Sequence, residues 1–148
     1  MNAKILEFKG KPVLYTCSSA AEIGPLVEAS KKVSKGPDFV LLLDNSGRAV
    51  SRVLPAYVNA AIRFNEGIAR ASTMQLEMLL LVCGTMNIGK ALKECGAKNK
   101  GSFLVFATKN ALLERFVKGN KVKIVKKIPF KLDPKTAGNV AITELLNE

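Results

Sequence analysis

The chain of 148 residues contains no histidine and no tryptophan. Without an imidazole there is no Ser-His or Cys-His nucleophile pair and no histidine metal site. Acid-base work would fall to lysines or to 12 carboxylates that are scattered without a clear pair. Cys17, Cys83 and Cys95 form no CxxC spacing, so thiolate zinc is not indicated and buried free thiols are expected. No apolar run approaches the ~18 to 20 residues that a membrane span needs. The opening MNAKILEFKG lacks an apolar export core, and the expectation is a cytoplasmic protein without membrane contact. Neither an enzyme nor a cofactor is expected.

Acidic residues are the other shortage. Lysine and arginine total 23 against 12 acids, for a net charge of +11. Lysine kept for solubility or heat tolerance usually brings matching glutamate. The excess favours a polyanionic partner, nucleic acid first. Seven phenylalanines and two tyrosines are few for extensive base stacking, so contacts to phosphates and single-stranded ends are expected.

What is present centres on Ala60 to Gly96. Between Arg70 and Lys90 the only charge is Glu77, and so apolar a run is stable only when the rest of the chain wraps it. Ser72 and Gln75 have the spacing of a capping box, opening a helix from Met74 to Cys83 that Gly84 can end. A buried Glu77 would need a partner, for which Arg70 or a helix-start amide is available. Arg63, Glu66 and Arg70 share a helix face and suit intrahelical ion pairs.

Around that centre the pattern is mixed. Ile5 to Lys9 and Val13 to Tyr15 flank a KGKP turn and read as a hairpin. Ser18 or Ser19 is a cap candidate for a helix with Glu22 in its first turn, Pro25 near its start and Gly36-Pro37 at its end. PDFVLLLD reads as a buried central strand and NSG as a turn. Pro55 marks the first turn of a helix whose core stripe is Tyr57, Ala61, Phe64 and Ile68, and Ile88, Ala91, Leu92 and Cys95 form another stripe. SFLVFA is a strand; Thr108 then caps NALLERFVKG, which Gly119 ends. KVKIVKKI alternates lysine with aliphatics as a strand half-buried at most, whose lysines suit the guarding of an exposed sheet edge. The whole, 1–148, is expected to be a single α+β domain, with a mixed, mostly antiparallel sheet packed on a central helical core.

Two readings of the Gly84 turn stand side by side. Gly84-Thr85-Met86-Asn87-Ile88-Gly89-Lys90-Ala91 has the glycine to glycine-lysine spacing of a phosphate-binding loop, which would make the chain a small P-loop-like nucleotide binder. Ala91, however, stands where that chemistry needs a hydroxyl for magnesium. Taken as helix, turn, helix, the same stretch has Asn87 as a cap, and the helix start with Lys90 can hold a phosphate or carboxylate. Lys90, Lys93, Lys98 and Lys100, with only Glu94 among them, make a basic patch that is either solvated surface or a nucleic-acid contact. Lys109 to Lys135 holds nine basic and two acidic residues. Leu145 and Leu146 are either the last piece of core or an anchor for a partner.

The run Ala60-Ala61, Arg63-Phe64, Gly67, Ala69-Arg70, Glu77, Leu79-Leu80, Gly84, Ile88, Ala91-Leu92 and Gly96 resembles the PRPK-binding (TPRKB) family, small subunits of the KEOPS complex, and its archaeal members most. Length and element order agree over nearly the whole chain. The family's arginine-glutamine before the turn isoleucine is Met86-Asn87 in this chain. The resemblance implies a non-catalytic subunit that binds the kinase-like ATPase of the complex. It would also hold the 3′ CCA end of tRNA while another subunit installs threonylcarbamoyl on the adenosine beside the anticodon. It further implies a tRNA-facing groove with Arg70, Asn87, Ile88 and Lys90, and a kinase contact through Leu145 and Leu146. The neighbouring cations Arg63, Lys93 and Lys98 complete the expected tRNA-binding set.

Overall fold

A computed structural model describes residues 12–35, 38–45, 47–98 and 101–129. Nine elements follow one another: β1 (Val13–Ser19), α1 (Ile23–Val33), β2 (Val40–Leu43), α2 (Gly47–Glu66), α3 (Met74–Cys83), α4 (Ile88–Cys95), β3 (Gly101–Ala107), α5 (Asn110–Gly119) and β4 (Lys123–Lys127). The strands form one sheet in the order β2-β3-β1-β4, and every pairing is antiparallel. The α+β fold expected from the sequence is therefore present.

Strand alternation divides the core in two. Leu14, Leu41, Leu43, Leu104 and Phe106 face α2, α3 and α4, where Tyr57, Met78, Leu79 and Ala91 meet them. Phe39, Tyr57 and Phe106 form an aromatic trio on this side, with the Tyr57 and Phe106 ring centres 5.2 Å apart. Val13, Cys17, Val40, Leu42, Phe103 and Val105 face α1 and α5, against Ile23, Leu26, Leu113 and Phe116. Both faces of the sheet are thus apolar where helices cover them, which is why VLLL and FLVFA are continuous apolar runs.

Several expectations need correction. The FVLLLD strand is buried at all four β2 positions but ends the strand order instead of occupying its middle. Side chains do the work of a neighbouring strand there: Ser34 Oγ accepts from the Val40 amide at 3.1 Å and Gln75 Nε2 donates to the Val40 carbonyl at 2.7 Å. The proposed partner of β1, residues 5–9, lies outside the described residues, and β1 is already paired on both sides. Ser18 and Ser19 belong to β1, and α1 starts after Glu22, whose side chain makes no capping bond. Gly36-Pro37 also lies outside the described residues, and α1 ends before it at Val33.

Pro55 is not in a first turn. It sits inside α2, where it offers no amide to the helix ladder. The stripe of α2 that reaches the core is Val53, Ala56, Tyr57 and Ala60, whereas Ile68 is 60 % exposed beyond the helix end. Thr108 does not cap α5 either; its hydroxyl is buried and accepts from the Phe39 amide at 3.1 Å. Lys109 holds the cap position and bridges Asp38 at 2.9 Å. Gly119 is the last residue of α5, with Asn120 after it. Cys17, Cys83 and Cys95 are free and buried, as their apolar surroundings in the sequence suggest.

Candidate nucleic-acid interface

The α2-α3 corner is built around one carboxylate. Gly67, at φ 72°, turns the chain out of α2, and the Ile68 amide closes the end by donating to the Arg63 carbonyl at 2.9 Å. Residues 68–73 then lead to α3, which Thr73 caps by accepting from the Leu76 amide at 3.2 Å. Ser72, the sequence candidate, is not the cap, and Gln75 is committed to β2.

Glu77, in the first turn of α3, is fully buried. Its Oε1 accepts from the amides of Arg70 and Ala71, each at 2.9 Å, and its Oε2 accepts from Arg63 Nη1 at 3.0 Å. Burial alone would raise its pKa, but the Ala71 amide, the Arg63 guanidinium and the Arg70 amide together hold it below the ordinary value. The start of a helix is also a favourable place for negative charge. Arg63 therefore pairs across helices, and Arg70, which lies past the end of α2, enters through its backbone rather than an intrahelical ion pair.

Both arginines line a cleft of about 180 Å³ together with Leu80 and Leu81, and Gly84, Thr85 and Met86 complete its wall. The wall is shaped by the end of α3. Gly84 adopts the left-handed conformation, φ 74° and ψ 32°, and its amide bonds the Leu80 carbonyl at 2.8 Å. Thr85 Oγ1 accepts from the Asn87 amide at 3.2 Å, and Asn87 Oδ1 caps α4 by accepting from the Lys90 amide at 3.0 Å. Because the cap engages the Lys90 amide, Lys90 offers an anion only its exposed ammonium.

Of the residues expected at a tRNA site, Arg63 and Arg70 come together on this cleft. Asn87 stands directly after its wall as the α4 cap, and Lys90, Lys93 and Lys98 are exposed along and beyond α4. Ile88 goes elsewhere. With Leu92 it is partly exposed, at 37 % and 48 %, on a separate groove of about 590 Å³ that includes Leu41, Leu42, Leu76 and Leu79. Only Ala91 and Cys95 of the expected α4 stripe are buried. Leu145 and Leu146 lie outside the described residues.

Nothing in the sequence pattern marks Leu80 or Leu81 as a site residue. In α3, where leucine, methionine and valine are spread around every side of the helix, periodicity gives no means of separating a cleft lining from a core face. The same helix bears on the nucleotide-loop reading. The run before Gly84 is a helix, whereas a phosphate-binding loop follows a strand, and the Ala91 methyl is buried in the core. No described helix is long and apolar enough to cross a membrane. Neither a scan against protein-family models nor a search of curated proteins finds a match for this chain.

Proposed function

We propose that this protein is a non-catalytic subunit of the KEOPS complex that recruits tRNA through its 3′ CCA end and binds the kinase-like ATPase subunit, in support of threonylcarbamoyladenosine formation beside the anticodon. The observation that carries the tRNA part is the cleft that Arg63 and Arg70 line together with Leu80 and Leu81. Unstacked bases at RNA ends are held by guanidinium planes and apolar surface as well as by aromatic rings, and this chain is poor in aromatics but not in arginine at the cleft. Phosphates of the same single strand would meet Lys90 and Lys93. The net charge of +11 supplies long-range attraction. The assignment to this complex and the kinase contact through Leu145 and Leu146 rest on the family resemblance.

The test compares binding to intact tRNA and to the same tRNA trimmed of its CCA end, at moderate salt, with ATP-magnesium as a parallel ligand. Tight binding only to the intact tRNA, with no ATP signal, is the expected outcome. Equal affinity for the two RNAs would remove the CCA role. Copurification with the kinase-like subunit, abolished by Leu145→Glu with Leu146→Glu, tests the second half of the reading.

A further inference from the structure

We infer that the corner of the sheet where Thr16, Ser18, Ser102, Lys123 and Lys126 share one face is a second RNA contact that takes the phosphate backbone of a helical stem. The register assigns the face. Thr16 pairs with Leu104 and Lys126, and Ser18 pairs with Ser102 and Lys123. Paired residues lie on the same side of a sheet, and Thr16 and Ser18 alternate with Cys17, whose side chain is in the opposite core. This is therefore the face that Leu14, Leu104 and Phe106 present to α2, α3 and α4.

Along that face the chemistry changes row by row. Leu41, Phe106 and Leu14 form an apolar row; Leu43 and Leu104 give way to Thr16 and Lys126; the last row is Ser102, Ser18 and Lys123. Thr16 and Ser18 are half-buried, and Ser102, Lys123 and Lys126 are exposed. The β4 register shift opposite Thr16 and Cys17 takes up Val125 as an extra residue, and this returns Lys123 to the side of Lys126 despite their odd spacing. Without the shift the two ammonium groups would point to opposite faces.

The surface combines hydroxyls with ammonium groups, and Asn45 Nδ2 donates to Ser102 Oγ at its edge at 2.8 Å. Among its described strand positions there is no carboxylate and no aromatic ring. Hydroxyls and lysines are the groups that contact phosphate oxygens, without base readout. A typical protein interface would centre instead on apolar or aromatic residues. The inference shares with the proposed function only the identity of the partner as RNA, because the Arg63-Arg70 cleft contributes no residue to it.

The test measures the dependence of log K on log salt for wild type and for Lys123→Gln with Lys126→Gln. The ligands are intact tRNA, CCA-trimmed tRNA and an RNA stem-loop without a single-stranded end. Loss of two phosphate contacts lowers the slope by roughly 2 on all three RNAs. The charge-matched pair Lys32→Gln with Lys118→Gln, exposed on α1 and α5, leaves the slope nearly unchanged. An unchanged slope in the first variant, or an equal drop in both, overturns the inference. So does displacement of the stem-loop by poly-L-glutamate at equal charge, which would make the corner a site for acidic protein. If trimming has no effect on wild type while the slope still falls in the first variant, the corner stands and the CCA reading fails.

Discussion

Arg63 Nη1 lies 3.0 Å from Glu77 Oε2, and the same carboxylate takes the amides of Arg70 and Ala71. One buried acid thus ties the last turn of α2, the connecting segment and the first turn of α3. Glu77→Ala leaves the buried Ala71 amide, the part-buried Arg70 amide and the Arg63 guanidinium without their acceptor, and we expect a loss of about 3 kcal/mol in urea unfolding. A loss below about 0.5 kcal/mol, the range of an ordinary surface substitution, would refute this role. Because the folded pKa is lowered, the carboxylate's contribution is complete above its ordinary value of 4.5 and fades as pH falls through the folded value. Acid unfolding of the wild type, compared with Glu77→Gln, should reveal that slope.

The two cleft arginines should separate by phenotype. Arg70→Glu changes an exposed side chain whose structural bond is made by its backbone, so tRNA affinity should fall roughly tenfold or more at low salt with unfolding unchanged. Lys90→Glu should behave alike. Arg63→Glu places a second carboxylate against Glu77 and should lower both affinity and stability. Unchanged tRNA affinity in Arg70→Glu, with a normal circular dichroism spectrum, would take that side chain out of the site.

Thermal unfolding can check the helix starts. Thr73→Ala and Asn87→Ala each delete an observed cap and should cost about 1 kcal/mol. Ser72→Ala, one residue away and exposed, should stay within about 0.5 kcal/mol. The opposite ranking would mean that Ser72 caps α3 in solution.

Two glycines differ in kind. A Cβ at Gly96 would lie 2.7 Å from the Leu92 carbonyl oxygen, a backbone atom at the end of α4 that cannot swing aside, so Gly96→Ala should cost roughly 2 to 3 kcal/mol. At Gly84 the left-handed φ of 74° is the obstacle, and the nearest atom, Arg52 Nη1 at 3.1 Å, belongs to a flexible side chain. Gly84→Ala should cost about 1 to 2 kcal/mol. Urea denaturation of the two variants decides the order.

Burial pushes the Cys17 and Cys83 thiols up to about 11 from 9.0, with Cys95 and Glu94 adding to the shift at Cys83. Iodoacetamide at pH 8 should leave both unlabelled in the native protein and modify them quickly in urea. The neutral thiols favour the folded state fully below pH 9, and that advantage is lost as pH rises toward 11. Rapid native labelling at either position would refute this.

The elements that the sequence makes legible are those with local punctuation. Met74–Cys83 is bounded by a polar cap and Gly84, and Asn87 sits before α4 as its spacing suggests. What misleads is residue identity without tertiary context. Pro55 signals a helix start but lies well inside α2. Thr108 looks like a cap, but its hydroxyl is drawn to the amide of Phe39, just before β2 and far away in sequence. Glu77 is recognisable as a charge needing a partner, yet choosing Arg63 over the Arg70 side chain requires knowing that α2 ends between them. At the candidate site the cations are visible in the sequence, whereas the apolar lining from Leu80 and Leu81 is hidden in a helix whose apolar residues lie on every side.

The strand order also dictates when this protein can fold. Val13 pairs with Ala107 and Ser18 with Lys123, so β1 has no β partner until roughly ninety further residues exist. At a synthesis rate of about 5 to 20 residues per second, β1 waits for roughly 5 to 18 seconds. The intervening α2, α3 and α4, whose contacts with one another are local, can assemble during that interval. The sheet should then form late and as one event, with non-local closure setting the rate.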